Sequence, residues 1–269
     1  MLRFVANLGM LFTTWPLLER FQRAADAGFR GVEIWMPDEV EPVRIARAAA
    51  AAGVEILQFN LALGDYFGGE RGLLALPGRE EPFRDSIQDG LRHAELLGAR
   101  QVNCLSGNRL GDVPLQAQMD CLQANLEWAG PILERHELQL NIEPLSELAN
   151  PDYLFRRPSD LFALLDRLDL PRVGVQYDLY HAQLAEGNLV ATLRQHLARV
   201  GHIQAADAPD RHQPGTGEID YRYVFRQIEA LGYAGHIGLE YAPLGSTDDS
   251  LRWLPTGCRA ECRAVDLHL

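Results

Sequence analysis

The chain has 269 residues, 47% hydrophobic and 23% charged, an ordinary globular balance with ample length to bury a core. Its net charge of −12 opposes nucleic-acid phosphate and anionic membrane as partners. All 25 basic side chains are Arg; without a Lys the chain cannot be a Schiff-base aldolase, a pyridoxal-phosphate enzyme or a P-loop protein.

In chain order, strands are expected near 3–8, 31–35, 54–60, 101–105, 138–144, 173–178, 200–207 and 236–241. Met1-Leu2-Arg3-Phe4 leads straight into the first, so no secretory leader is expected, and no apolar run approaches the roughly 18 residues of a membrane span. Leu17, Leu18, Phe21, Ala24 and Ala25 share one face of a first helix, with Pro16 in its first turn. A helix, a Gly and a short apolar strand recur at Gly28, Gly53, Gly98 and Gly232, the Gly suiting a helix C-terminal cap. From Leu61 to Glu80 runs a long connection without periodicity, the type of segment that forms lids. Leu115, Met119, Leu122, Leu126, Ala129 and Leu133 mark the fourth helix, where Pro131 predicts a kink or break. Tyr221, Val224, Phe225, Ile228 and Leu231 make the seventh amphipathic. Eight alternating strands and helices in this length predict an α/β chain forming one (β/α)8 TIM-barrel domain over 1–269. No G-x-G-x-x-G follows a strand, which removes a dinucleotide fold. Cys104, Cys121, Cys258 and Cys262 fit no zinc spacing and read as free thiols of a reducing cytoplasm.

Side chains alternate along a strand, and in a barrel the polar parity must face the lumen. Glu143, Asp178, Gln204 and Glu240 each end a strand, the fifth to the eighth, on that parity. Barrel active sites are built at those C-terminal ends. Three carboxylates packed there repel one another, and a divalent cation resolves the repulsion. Oxygen donors suit Mg²⁺, with Mn²⁺ as the alternative. The competing reading is a polar lumen satisfied by water; four residues in register favour the metal. Asn7 ends the first strand and Asn60 the third. His181, in the turn after Asp178, is a candidate neutral donor to a substrate oxygen or a cap. Arg211 either clamps a substrate carboxylate or is a solvated loop cation. Glu70 and Arg71 either reach over the barrel mouth or decorate a surface insertion. The glycine-rich Pro214-Gly-Thr-Gly-Glu218 lacks the pattern of a phosphate cradle.

The start Leu2-Arg-Phe-Val-Ala-Asn-Leu8, the loop Gly69-Glu-Arg-Gly72 with Leu76-Pro-Gly-Arg-Glu80, and Gln176-Tyr-Asp-Leu-Tyr-His181 resemble the hydroxypyruvate isomerase family. Gly201-His-Ile-Gln204, Pro214-Gly-Thr-Gly-Glu218 and Glu240-Tyr241 extend the likeness, which runs to about Trp253. That family is one of the xylose-isomerase-like barrels. The resemblance implies that Glu143 and Glu240 are the acid/base pair and that Glu143, Asp178, Gln204 and Glu240 hold the metal. Asn7, Glu70, Arg71, His181 and Arg211 are the substrate-binding candidates. The implied reaction interconverts hydroxypyruvate and tartronate semialdehyde through an enediolate. Asn150-Pro-Asp-Tyr-Leu-Phe155, His181-Ala-Gln183 and Glu186-Gly-Asn-Leu189 look more like the sister group acting on 2-oxo-tetronates. A keto-sugar epimerase, a metal-dependent endonuclease and a non-catalytic sugar-acid binder are the other readings. The expected partner is a small sugar acid, with neither nucleic acid nor membrane; whether the chain pairs with copies of itself is left open.

Overall fold

The computed structural model describes residues 1–35 and 40–269. Eight parallel strands close into a barrel in sequence order. They are β1 (Phe4–Asn7), β2 (Gly31–Ile34), β3 (Glu55–Asn60), β4 (Gln101–Cys104), β5 (Gln139–Ile142), β6 (Val173–Asp178), β7 (Val200–Ala205) and β8 (Ile237–Leu239). Each lies within two residues of its expected bounds. Closure is made by β8 beside β1, with Val5 opposite Gly238.

The outer ring is α1 (Leu17–Asp26), α2 (Pro42–Ala52), α3 (Glu80–Leu97), α4 (Leu115–Arg135), α5 (Pro158–Leu168), α6 (Leu179–Ala185), α7 (Leu189–His196) and α8 (Tyr221–Ala230), followed by the single turn α9 (Thr247–Ser250). Gly53 and Gly98 cap α2 and α3 in the left-handed conformation, with φ of 69° and 71°. One expectation is narrowed and another corrected. Pro131 does not break α4, which continues to Arg135. Buried Leu126, Ala129 and Leu133 pack it on the core across the missing hydrogen bond. His181 lies not in a turn but on α6, which Asp178 caps by accepting from the Tyr180 N–H at 2.9 Å.

Apolar packing sits between strands and helices, whereas the lumen is polar. Gln58 donates to Gln176 at 2.6 Å, and Asn141 donates to Gln101 at 2.9 Å and Gln58 at 3.2 Å. Branched aliphatic layers usually fill such barrels. Here the amides of Gln58, Asn141, Gln176 and Gln204 pair with one another or their neighbours across the strands instead, which removes much of their desolvation cost. Glycines make room for this network. A Cβ at Gly201 would overlap the Asn141 amide, and one at Gly238 would come within 2.5 Å of the Glu33 carboxylate.

At the N-terminal end of the barrel the tail closes on the first strand. Leu2 and Cys262 exchange backbone bonds of 2.7 and 2.9 Å. Cys258 and Cys262, both buried free thiols, therefore lie at the end opposite the polar strand termini. Among the described residues no helix is long and apolar enough to cross a membrane.

Candidate active site

The strand ends deliver Glu143, Asp178, Gln204 and Glu240 to one buried cluster, none more than 5% exposed. Glu143 Oε2 accepts from Asn103 at 2.7 Å and from Gln176 Nε2 at 2.9 Å. The same Gln176 nitrogen donates to Gln204 Oε1 at 2.7 Å, so Glu143 and the Gln204 oxygen are neighbours. Glu240 Oε1 accepts from Asn7 at 2.9 Å and from the Trp35 indole N–H at 2.6 Å. Arg211 bridges the other side, 2.6 Å from Glu240 Oε2 and 3.4 Å from Asp178 Oδ2.

Burial raises the Glu143 pKa well above the ordinary carboxylate range, and the charges of Glu240 and Asp178 add to the rise. Glu240 is pushed up to about 7, again mainly by burial, with Arg211 opposing the shift. Asp178 is raised for the same reason. Three crowded acids facing one guanidinium fit a divalent cation by donor chemistry: hard oxygens, incompletely neutralised.

Glu143, Asp178 and His181 bring ligand-type atoms within 4.8 Å of one another. Yet the Ser146 backbone N–H donates to His181 Nδ1 at 3.3 Å. The proton of the neutral ring then resides on Nε2, 3.7 Å from Asp178. Burial and the charge of Arg211 hold this histidine neutral, well below its usual pKa. In that tautomer the protonated Nε2 has no lone pair for a metal and is available to donate a hydrogen bond.

Glu33, on β2, was not singled out in the sequence. It accepts from Asn7 at 2.7 Å and Gln204 at 2.6 Å, and pairs with His202 Nε2 at 2.7 Å. Burial works to raise its pKa, but His202, Asn7 and Gln204 outweigh it and hold it low. Glu33 thereby orients two residues of the site. It forces the Gln204 amide nitrogen toward itself, which turns the oxygen toward Glu143. It also ties down Asn7, which donates to Glu240. Strand alternation could have exposed it, since Val32 and Ile34 occupy the opposite parity.

Above the cluster lies a cavity of about 340 Å³ whose lining includes Glu143, Glu240, His181, Arg211, Arg71 and Trp35. Residues 61–79 cross its mouth, bringing Tyr66, Phe67 and Arg71 to the wall. Glu70 stays inside that segment, accepting from the Asp65 N–H at 2.6 Å and pairing with Arg79 at 2.8 Å. Asn60 also lines the cavity. The backbone N–H groups of Gly215, Thr216 and Ile219 all serve the Asp207 carboxylate at 2.9–3.1 Å, which explains why that loop is no anion cradle.

A family model described as "Xylose isomerase-like TIM barrel" matches residues 21–256. The chain is 39% identical to hydroxypyruvate isomerase of Escherichia coli, over 94% of this chain and 98% of that protein. It is 38% identical to 2-oxo-tetronate isomerase of Pectobacterium atrosepticum, over 93% and 96%. Among solved structures, one described as an AP endonuclease of family 2 from Brucella melitensis superposes with a TM-score of 0.92 at 37% identity, over 94% and 98%.

Proposed function

Because the chain belongs to the xylose isomerase-like TIM-barrel family, we propose that it is an isomerase of small sugar acids, converting hydroxypyruvate to tartronate semialdehyde. The carrying observation is the pair Glu143 and Glu240, two buried carboxyls with raised pKa values on the wall of one small cavity. One glutamate takes the proton from the carbon bearing the hydroxyl, leaving an enediolate. The other returns a proton to the neighbouring carbon, and the hydroxyl and carbonyl exchange places. The Nε2–H of His181 donates to a substrate oxygen, and Asn7 and Trp35 hold Glu240 in place. Glu143, Asp178, Gln204 and Glu240 would hold a divalent cation, Mg²⁺ or Mn²⁺, which would supply positive charge beside the substrate oxygens. The four free thiols suit a reducing cytoplasm.

The 2-oxo-tetronate isomerase relative is nearly as similar as the hydroxypyruvate isomerase. A substrate one carbon longer is therefore the second reading of the same chemistry. An endonuclease reading meets a net charge of −12, which repels a phosphodiester backbone.

Incubation with hydroxypyruvate in D₂O, followed by proton NMR, should give tartronate semialdehyde with deuterium at the carbon that was the ketone. Conversion of a 2-oxo-tetronate alone would move the assignment to the longer acid. No turnover of either would sink the isomerase reading.

Metal dependence has a pH signature. A carboxyl with a raised folded pKa keeps its proton longer in the fold than in the unfolded chain. Folding stability contributed by such groups therefore falls as pH climbs from the ordinary 4.5 through about 7, the value for Glu240. Metal-stripped protein should lose melting temperature between pH 5 and pH 8. Mn²⁺ at about 100 times its Kd adds ~2.7 kcal/mol, or roughly 5–10 °C, at pH 8. At pH 5 protons compete for the carboxylates and the gain shrinks. Equal gains at both pH values would contradict a site built on these acids.

A further inference from the structure

A sugar acid brings a carboxylate into a cavity already walled by Glu143 and Glu240, with Asp178 beneath. Besides the divalent cation proposed above, a cation of the protein itself can offset that repulsion. Arg211 lines the cavity, but its charge is engaged by Glu240 and Asp178. Arg20 directs Nε to the Trp15 carbonyl at 2.8 Å and another nitrogen to that of Leu8 at 2.6 Å.

Arg71 differs. Its Nε donates to the Asn150 side chain at 3.0 Å, and Nη1 donates to the carbonyls of Tyr66 at 3.0 Å and Glu70 at 2.8 Å. The guanidinium lies over the Tyr66 ring, 4.2 Å from its centroid. These contacts use three of its five N–H groups and fix its plane, leaving the two on Nη2. Among the described residues no acidic side chain pairs with it, whereas neighbouring Arg79 is paired with Glu70.

Its backbone is equally fixed. The Gly107 N–H donates to the Arg71 carbonyl at 2.9 Å, and the Ala75 N–H to that of Ser106 at 2.8 Å. Next to it, Gly72 has φ of 105°, and a Cβ there would overlap the Leu105 carbonyl. The lid thus lies directly on the end of β4, with Arg71 at the cavity wall. A guanidinium held by four contacts, on the wall of a cavity of acids and with no acidic partner among the described residues, is preorganised for an incoming anion.

We infer that Arg71 binds the carboxylate of the substrate and is the residue that selects an acid over a neutral keto-sugar. This rests on the sugar-acid reading above and adds which end of the substrate lies under the lid. The reacting carbons then fall between Glu143 and Glu240.

The test uses binding, not turnover. Glycerate keeps the carboxylate but has no carbonyl to isomerise; glyceramide is its uncharged amide. Calorimetric titration of the Mg²⁺-supplemented protein should show glycerate binding about 10- to 100-fold more tightly than glyceramide. Arg71→Met should reduce that preference to about 3-fold or less while leaving glyceramide affinity and the melting temperature unchanged. Arg71→Lys, which keeps the charge without the fixed plane, should recover part of it.

The wild-type preference is itself a test if Arg71→Met does not fold. Equal binding of both ligands by the wild type would overturn the assignment. So would a preference that survives in Arg71→Met, or one lost only in Arg20→Met or Arg211→Met. Absence of isomerase turnover together with a glycerate preference dependent on Arg71 would sink the proposed reaction and leave this inference standing.

Discussion

Glu240→Gln is expected to slow turnover about 10³-fold, within the range for losing a positioned acid or base, which is about 4 kcal/mol of barrier. The substitution is nearly isosteric. A Gln oxygen can still accept from Asn7 and the Trp35 indole, so the position of the side chain is retained. What is lost is the carboxyl that takes and returns the proton, because an amide does neither. The bond to Arg211 is lost, since the amide nitrogen that replaces Oε2 can only donate, yet one negative charge leaves a crowded, buried set. The melting temperature of the metal-stripped protein should therefore hold or rise, the usual trade where a site stores repulsion. Glu143→Gln should behave alike, since Asn103 and Gln176 can each still donate to its oxygen. Initial rates under saturating substrate, with melting curves alongside, check both variants. Retention of a tenth of wild-type turnover by Glu240→Gln would remove it from the acid/base pair.

Glu33→Leu is expected to cost stability on the scale of losing one partner of a buried, charge-assisted hydrogen-bonded pair, about 3–5 kcal/mol. That is roughly 6–20 °C in melting temperature. Glu33 and His202 are 2% and 0% exposed, 2.7 Å apart. Removing the carboxylate leaves His202 Nε2 and the Gln204 amide nitrogen without that acceptor, and leaves the Asn7 amide nitrogen with Glu240 alone. Because Asn7 and Gln204 lose their anchor, turnover should fall as well, although Glu33 does not line the cavity. The double variant Glu33→Leu with His202→Leu removes both partners and should recover part of the lost stability, a positive coupling in the mutant cycle. Denaturant melts of the four proteins measure it. A loss below about 1 kcal/mol in Glu33→Leu would show that the pair does not brace the barrel.

The likelihood of a barrel was legible because its signals are local. Helix periodicity, glycine caps and apolar strands each occupy a dozen residues or fewer, and eight repetitions in this length admit few other folds. The set Glu143, Asp178, Gln204 and Glu240 was legible for a similar reason. Strand alternation is a two-residue rule, so the polar parity at a strand end declares a lumen position without knowledge of the neighbours. The same rule applied to β2 would have flagged Glu33, but nothing local revealed that its partner would be His202, 169 positions away. His181 was placed in a turn where a helix cap overrode local expectation, and of the kink or break expected at Pro131 the break does not occur.

By itself, then, the sequence determined the order of elements, the lumen-facing acids and the family. Only the tertiary structure decided how the loops spend their charges. Arg211 turned to Asp178 and Glu240, Glu70 turned back into its own segment, and Arg71 kept two N–H groups at the cavity wall. The physical reason is that an arginine or glutamate on a loop has no parity. Its direction follows from whichever distant carbonyl, ring or carboxylate the closed barrel brings within hydrogen-bond reach.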